Sequence, residues 1–371
     1  MRLPLRHDDR SPDTLSALRN GLVGAGLAYA GGVLGYALVR PLVGQREGWL
    51  ELVDDLEPWA YLPAPLLAAL GVAIGSRSLA AAGLSVATLF GLRWGRRYLR
   101  RTPSVKTGSP PSELTVMTFN TLAWQREGRD LEASIRAARP DLVGLQEIGP
   151  TSADYLTETL ADTYPYHYVT PSATSSGAAV LSRYPLHDAV SFRASEHGHW
   201  WQRMTVQSPA GPITYINIHT KIPYIRTTRH RCWFPRIPLQ FHAQRRRKEV
   251  QELVAMLENV SGPVIVNGDF NMTERSPDYR MLARQLQDAY RAVGAGLGHT
   301  FPRRGSWPRT FPMPWPTLRL DYVWHSHHLA PAWGYRGDAG HSDHHPVIVG
   351  FRWAEVARHV PGMVPMAASA V

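Results

Sequence analysis

Residues 263–271 read PVIVNGDFN: an apolar, β-branched run of strand length that stops abruptly at an acid and an amide. The run is too short for a helix, and Ser261-Gly262-Pro263 punctuates its start, so it predicts a buried strand. Just upstream, Val250, Leu253, Val254 and Leu257 recur at the spacing of one helix face. Working outward, the same design returns at LTVMTFN (114–120), DLVGLQE (141–147), AAVLSR (178–183), ITYINIH (213–219), RLDYVW (319–324) and HPVIVGF (345–351). Leu131, Ile135 and Ala138 mark a second short helix between the first two runs. Strands alternating with helical patterns predict a layered α/β domain.

The polar residues at the ends of these runs carry the chemistry. Asn120 ends the first run, Glu147 the second, His219 the fourth, and Asp269 with Asn271 the fifth. Asp321 sits early in the sixth, and Ser342-Asp343-His344 precede the last. One such residue is ordinary turn chemistry. A series of acids, amides and imidazoles at corresponding strand ends is not, because that edge is where α/β folds build sites. The HSHH run at 325–328 follows a strand and is expected to be a solvent-exposed loop, and His345 a bystander. A zinc site from His341, His344 and His345 competes with the strand-end set.

TFN at 118–120, LQE at 145–147, GAAVLSRYP at 177–185, NIH at 217–219, GDFN at 268–271, GHT at 298–300, RLDY at 319–322 and SDHHPV at 342–347 occur in that order. On these motifs the chain resembles the endonuclease/exonuclease/phosphatase superfamily, which includes DNase I, AP endonucleases and neutral sphingomyelinases, over roughly residues 113–353. The resemblance implies a four-layer α/β sandwich, two packed mixed β-sheets flanked by helices, and a metal-dependent phosphoesterase. It assigns Asn120, Glu147 and Asp343 to a Mg²⁺ or Mn²⁺ site, and hard oxygen ligands suit those ions better than zinc. It assigns Asp269 to the attacking water, Asn271 to geometry at the same phosphate, and His219 to charge on the non-bridging oxygens. His344, held by Asp321, becomes the acid/base or electrostatic partner. The paired cysteines of secreted DNase I are absent, Cys232 being the sole cysteine. TLAW follows TFN where AP endonucleases have Gly-Leu-Arg, and no Cys-Asp-Arg precedes the sixth strand as in inositol polyphosphate 5-phosphatases.

Composition divides the chain near residue 100. Charges are absent from 20–39, 58–76 and 78–92, and a bilayer span needs about 20 apolar residues. Residues 1–101 therefore read as a membrane anchor of two to three transmembrane helices, resembling the membrane-anchored bacterial type. Residues 102–112 are a linker reaching ~35 Å when extended, 113–353 the catalytic domain and 354–371 a tail. A multi-pass protein of the cell membrane follows. The basic flanks point both ways on which side the catalytic domain faces.

The whole chain is basic, with 40 Lys and Arg against 30 Asp and Glu. Only Lys106, Lys221 and Lys248 are lysines, and Arg-rich chains suit phosphate-bearing partners. Two acid-free stretches adjoin site motifs: 219–248, with Arg226, Arg229, Arg231 and Trp233, and 298–319, with Arg303, Arg304 and Trp307. Rings and cations together suit lipid headgroups, single-stranded nucleic acid, or a solvated basic face. With an anchor holding the domain near the bilayer, a lipid-linked phosphoester or pyrophosphate is expected ahead of DNA or RNA. A membrane-tethered endo- or exonuclease acting on DNA or RNA is the first alternative, and a non-catalytic phosphate-binding membrane protein the second. No protein partner is inferable.

Overall fold

The computed structural model describes residues 12–43, 48–100, 112–122, 128–227, 238–303 and 315–354. The chain divides into two compact units, one of Met1–Arg46 with Leu56–Arg96, the other of Glu47–Asp55 with Arg97–Val371.

The first unit is helical. Helix α1 (Pro12–Val39) is followed by α2 (Trp49–Leu56), which lies mainly in the second unit, then α3 (Ala64–Ala73) and α4 (Arg77–Tyr98). Among the described residues one helix, Thr14–Leu42, is long and apolar enough to cross a membrane, and little of it is buried. The two to three expected spans therefore reduce to one such helix. The 58–76 run is interrupted because Pro63 and Pro65 lack the N–H a continuing helix needs, leaving a 3₁₀ turn at Glu57–Tyr61 and ten residues of α3. The 78–92 run lies in α4, whose last turns carry Arg93, Arg96 and Arg97. A Cβ on Gly71 would fall 2.3 Å from the Ala80 nitrogen, and one on Gly83 would fall 2.4 Å from that of Ala68. Glycine is what lets α3 and α4 approach so closely.

In the second unit fourteen strands are described: β1 (Leu114–Asn120), β2 (Leu142–Gln146), β3 (Tyr166–Thr170), β4 (Ala178–Ser182), β5 (Leu186–Phe192), β6 (Trp201–Ser208), β7 (Gly211–His219), β8 (Tyr224–Thr227), β9 (Pro238–His242), β10 (Val264–Asp269), β11 (Gln287–Asp288), β12 (Asp321–His325), β13 (Leu329–Arg336) and β14 (Val347–Trp353). They form two six-stranded mixed sheets, ordered β13-β14-β1-β2-β4-β3 and β11-β12-β10-β7-β6-β5, and a β8-β9 hairpin. Side chains alternate across each strand. In β1, Leu114 and Val116 enter the core between the sheets, while Met117 and Phe119 pack under helices α5 (Gly128–Ala138) and α6 (Pro150–Thr159). Residues Ile216 and Ile218 of β7 pack likewise under α7 (Gln244–Glu258) and α8 (Pro277–Leu282). Helix, sheet, sheet, helix is the expected four-layer α/β sandwich. Leu131 and Ile135 are fully buried from α5, each stabilising by roughly 1.5–3 kcal/mol.

Candidate active site

The site lies where parallel strands end together. Within the first sheet β1 and β2 pair in parallel with Asn120 opposite Gln146, so Glu147 follows at the same edge. Within the second, β7 and β10 pair in parallel with His219 opposite Asp269, and antiparallel β12 begins with Asp321 opposite Asp269. Stacking the sheets brings the two edges together, at the carboxyl ends where α/β sheets build sites. Gly268 makes the last step possible: it sits at φ 150° and a Cβ there would fall 1.9 Å from the Ile218 carbonyl oxygen. Glu147 (φ 55°) and Asn271 (φ 46°) are held in the left-handed region, a strain characteristic of functional sites.

The expected residues converge. Asn120 Nδ2 donates to Asp269 Oδ2 at 2.9 Å and to Glu147 Oε1 at 3.2 Å. His219 Nε2 lies 3.6 Å from Asp269 Oδ2 and 3.8 Å from Glu147 Oε1. His344 Nε2 reaches the same Asp269 oxygen at 3.7 Å, while its Nδ1 meets Asp321 Oδ2 at 2.8 Å. The Asn271 N–H donates to Asp269 Oδ1 at 2.9 Å, and its side chain donates to the Thr220 carbonyl. Asp343 joins electrostatically through His344 and Asp321.

Burial raises the Asp269 carboxyl, with the His344 charge pulling the other way. For His344, burial would lower the pKa, but Asp321 and then Asp269 outweigh it and raise the ring to about 10. His344 is therefore an imidazolium at neutral pH. His219 goes the opposite way: burial, then the charges of His199 and His344, hold it well below the usual imidazole range.

The donor set fits a hard divalent cation. Glu147 Oε1 and Asp269 Oδ2 converge on the Asn120 Nδ2, while Asn120 Oδ1 accepts the Leu122 N–H, so Asn120 would ligate through its oxygen only with the amide turned over; buried Asp321 Oδ1 has no hydrogen-bond partner. The ligand atoms of Asp269, Asp321 and His344 also lie within 4.8 Å of one another. An imidazolium has no lone pair to give a metal, so the Glu147 side is the better seat, which Asn120 can join only through its amide oxygen.

Several residues differ from expectation. His325 is fully buried on β12 and packs on Phe351, because the strand extends one residue further than its sequence pattern suggests. Of the HSHH run only His327 is exposed among its histidines. His341 pairs with Asp130 and His345 Nδ1 bonds the Gly337 carbonyl, so neither joins His344 in a zinc site. Arg226 is exposed on β8 and Arg303 is half-buried beside Asp343, whose carbonyl accepts its N–H at 2.6 Å. Arg229, Arg231, Trp233, Arg304 and Trp307 lie outside the described residues.

Other contributors were given no role by the sequence, although Thr300 and Ser342 lie in the GHT and SDHHPV motifs. Thr300 accepts the Leu320 and Asp321 N–H groups on its hydroxyl, setting where β12 starts. Ser342 Oγ donates to the Asn120 carbonyl and accepts from the His344 N–H, tying β1 to the His344 loop. Phe301 covers the His344 ring at 4.7 Å between centroids. Arg246, 1% exposed, donates to the Asn271 carbonyl at 2.6 Å, to Asp278 at 2.8 Å, and to Glu51 of α2.

A model described as the Endonuclease/Exonuclease/phosphatase family matches residues 117–344. The uncharacterized protein YbhP of Escherichia coli (strain K12) is 30% identical over 215 residues, covering 53% of this chain and 75% of that one. The endonuclease/exonuclease/phosphatase from Bacteroides vulgatus superposes with a TM-score of 0.50 at 17% identity, over 65% of this chain and 99% of that one. The human Nocturnin catalytic domain with bound sulfate gives 0.49 at 19% identity, over 70% and 99%.

Proposed function

Since the chain belongs to the endonuclease/exonuclease/phosphatase family, whose members are hydrolases acting on phosphoester bonds, we propose that it hydrolyses a phosphodiester, phosphomonoester or pyrophosphate of a lipid-linked or membrane-proximal substrate. The observation that carries the chemistry is Asp269, met within 4 Å by Asn120, His219 and His344. Asp269, raised by burial and oriented by the Asn271 N–H, holds the attacking water and takes its proton. The oxygen–phosphorus bond forms as the bond to the leaving oxygen breaks, and that oxygen is protonated from solvent, to which Asp269 then returns the proton it took. His344 offers a charged N–H to the phosphoryl oxygens, and His219 stabilises them from the other side. Glu147 and, through its amide oxygen, Asn120 would hold Mg²⁺ or Mn²⁺, with Asp343 supporting its shell, and the ion would supply neutralisation of phosphate charge and acidification of water.

The lipid preference is supported by two features. One N-terminal helix is long and apolar enough to cross a membrane. Directly after His219 the chain exposes Ile222 (67%) and Tyr224 (58%) between Lys221 and Arg226. Apolar tips flanked by cations suit a headgroup layer. Attachment to the cell membrane belongs to the same reading.

The test offers full-length protein in detergent a short-chain phospholipid, a polyprenyl pyrophosphate and single-stranded DNA side by side, with Mg²⁺ and Mn²⁺ titrated. Turnover of a lipid substrate, lost on chelation, is the expected result. Preference for DNA makes the protein a membrane-tethered nuclease. No turnover of any substrate with either metal leaves a phosphate-binding protein.

A further inference from the structure

The residue behind His219 is not a carboxylate but a second imidazole. His199 Nδ1 lies 2.6 Å from His219 Nδ1, the rings crossing at 71° with centroids 3.7 Å apart. His199 is 8% exposed and His219 4%, so bulk water offers neither ring an easy substitute partner. The contact is built in. His199 lies two residues before β6, which pairs with β7 in a register placing Gln202 opposite Asn217. Trp201 Nε1 then donates to the His219 carbonyl at 2.9 Å, and the Trp200 N–H reaches the Ser176 carbonyl at 3.3 Å.

Two neutral ring nitrogens in contact share one proton, so one donates and the other accepts, with the Ser175 backbone carbonyl as a second acceptor beside both rings. Were His219 the donor, its Nε2 lone pair would face Asp269 Oδ2 at 3.6 Å and Glu147 Oε1 at 3.8 Å. That would bring three electron-rich atoms together in a buried pocket, where such repulsion is poorly screened. With His199 as donor, His219 Nε2 carries hydrogen toward those oxygens and the conflict vanishes.

We infer that His199 is a positioning residue: its Nδ1–H donates to His219 Nδ1 and fixes the Nε2–H tautomer of His219, making that ring a neutral hydrogen-bond donor for the non-bridging oxygens of a phosphoryl group. The inference rests on the phosphoester reading for its consequence, and on the ring geometry for the tautomer. Burial, then the nearby Lys221 charge, hold His199 down to about 4, consistent with a neutral pair.

The experiment uses the full chain in detergent micelles with ¹⁵N-labelled histidine, and bis(p-nitrophenyl) phosphate with Mg²⁺ as the probe. Nitrogen shifts should report His219 protonated at Nε2 in the unsubstituted protein, and a mixed tautomer in His199→Leu. His199→Leu should lower kcat about 100-fold, the cost of one transition-state donor, with KM little changed. His199→Asn, whose amide can still donate, should stay within about fivefold of the parent, which distinguishes donation from mere packing. His219 protonated at Nδ1 in the parent, or full turnover by His199→Leu, overturns the inference. If His199→Leu does not fold, the parent's nitrogen shifts and His199→Asn decide. Failure of the parent to hydrolyse any phosphoester defeats the functional reading, while the nitrogen shifts still judge the tautomer.

Discussion

Two histidines face Asp269 from opposite sheets, and they are prepared in opposite ways. His344, on the loop before β14 of the first sheet, is backed by the Asp321 carboxylate at 2.8 Å. His219, at the end of β7 in the second, is backed by the His199 ring at 2.6 Å. Both are buried, and burial alone would keep both neutral. The difference is the partner. A carboxylate stabilises positive charge and makes His344 an imidazolium, whereas an imidazole fixes a tautomer without adding a negative charge. One site thus holds a permanent cation and a neutral dipole on the same oxygen of Asp269, which keeps two adjacent rings from repelling each other.

The sharpest way to break this comparison is to remove its shared centre or its charged arm. Asp269→Ala or His344→Ala should lower Mg²⁺-dependent phosphoesterase turnover by at least about 1,000-fold, since each removes a general base or a charged transition-state donor. Circular dichroism should show the fold retained. Unchanged turnover in both would mean the cluster is not the reacting centre.

Next in size is the partner itself. Asp321→Asn keeps a hydrogen-bonding oxygen but removes the charge that raises His344 to about 10. Its pKa should then fall, because the largest charge opposing burial is gone and Asp269 and Asp343 remain alone against it. Turnover at pH 8 should drop roughly 100-fold, the scale of one lost charged donor. The alkaline limb of the rate profile should move from near pH 10 toward neutrality. A profile unmoved by this substitution would show that Asp321 does not set the charge of His344.

The His219 half has a second support, reaching it from α2. Glu51 is fully buried against Arg246, whose guanidinium holds the Asn271 carbonyl, and Asn271 in turn bonds Thr220 beside His219. Breaking a buried pair costs about 3–5 kcal/mol when the remaining charge has no other partner. Arg246 keeps Asp278, so Glu51→Ala should cost nearer ~2 kcal/mol. Thermal unfolding should show it, and a chain truncated to start at residue 102 should be destabilised likewise. Equal stability with and without residues 47–55 would make α2 dispensable to the catalytic unit.

Asn120, Glu147, His219 and Asp269 were legible because each ends a β-branched run whose hydrophobicity stops abruptly, and Asp321 and His344 because each stands at the head of one; LTVMTFN at 114–120 matches β1 residue for residue. The gaps have physical causes. Strand β6 escaped because Gln202, a polar residue, is fully buried, so WQRMTVQS shows no clean alternation. His199 carries no motif, since its partner is 20 residues away and only the β6–β7 register joins them. Nothing local in WLELVDDL marks Glu51 for burial, because the guanidinium that matches it lies 195 residues on. Proline, not hydropathy, decides where the apolar run at 58–76 breaks.

The smallest effect bears directly on whether the His219 side is held neutral. His199 is lowered to about 4 in the folded chain, against 6.5 for an ordinary imidazole. Between those values the unfolded chain binds the extra proton, so stability from the neutral ring is present above about pH 6.5 and is lost as pH falls toward 4. From pH 6.5 to 5.5 the loss is about 1 kcal/mol, because unfolded His199 goes from half to mostly protonated while the folded ring stays neutral. His344 does not mimic this, since a raised imidazole gives its stability fully below 6.5 and loses it only as pH climbs toward 10. Carboxylates titrating in the same window act in parent and variant alike. Urea unfolding at the two pH values should therefore show the parent losing about 1 kcal/mol more than His199→Leu. Equal losses would mean His199 already carries a proton at pH 5.5 in the folded protein, and the neutral pair would give way to a charged one.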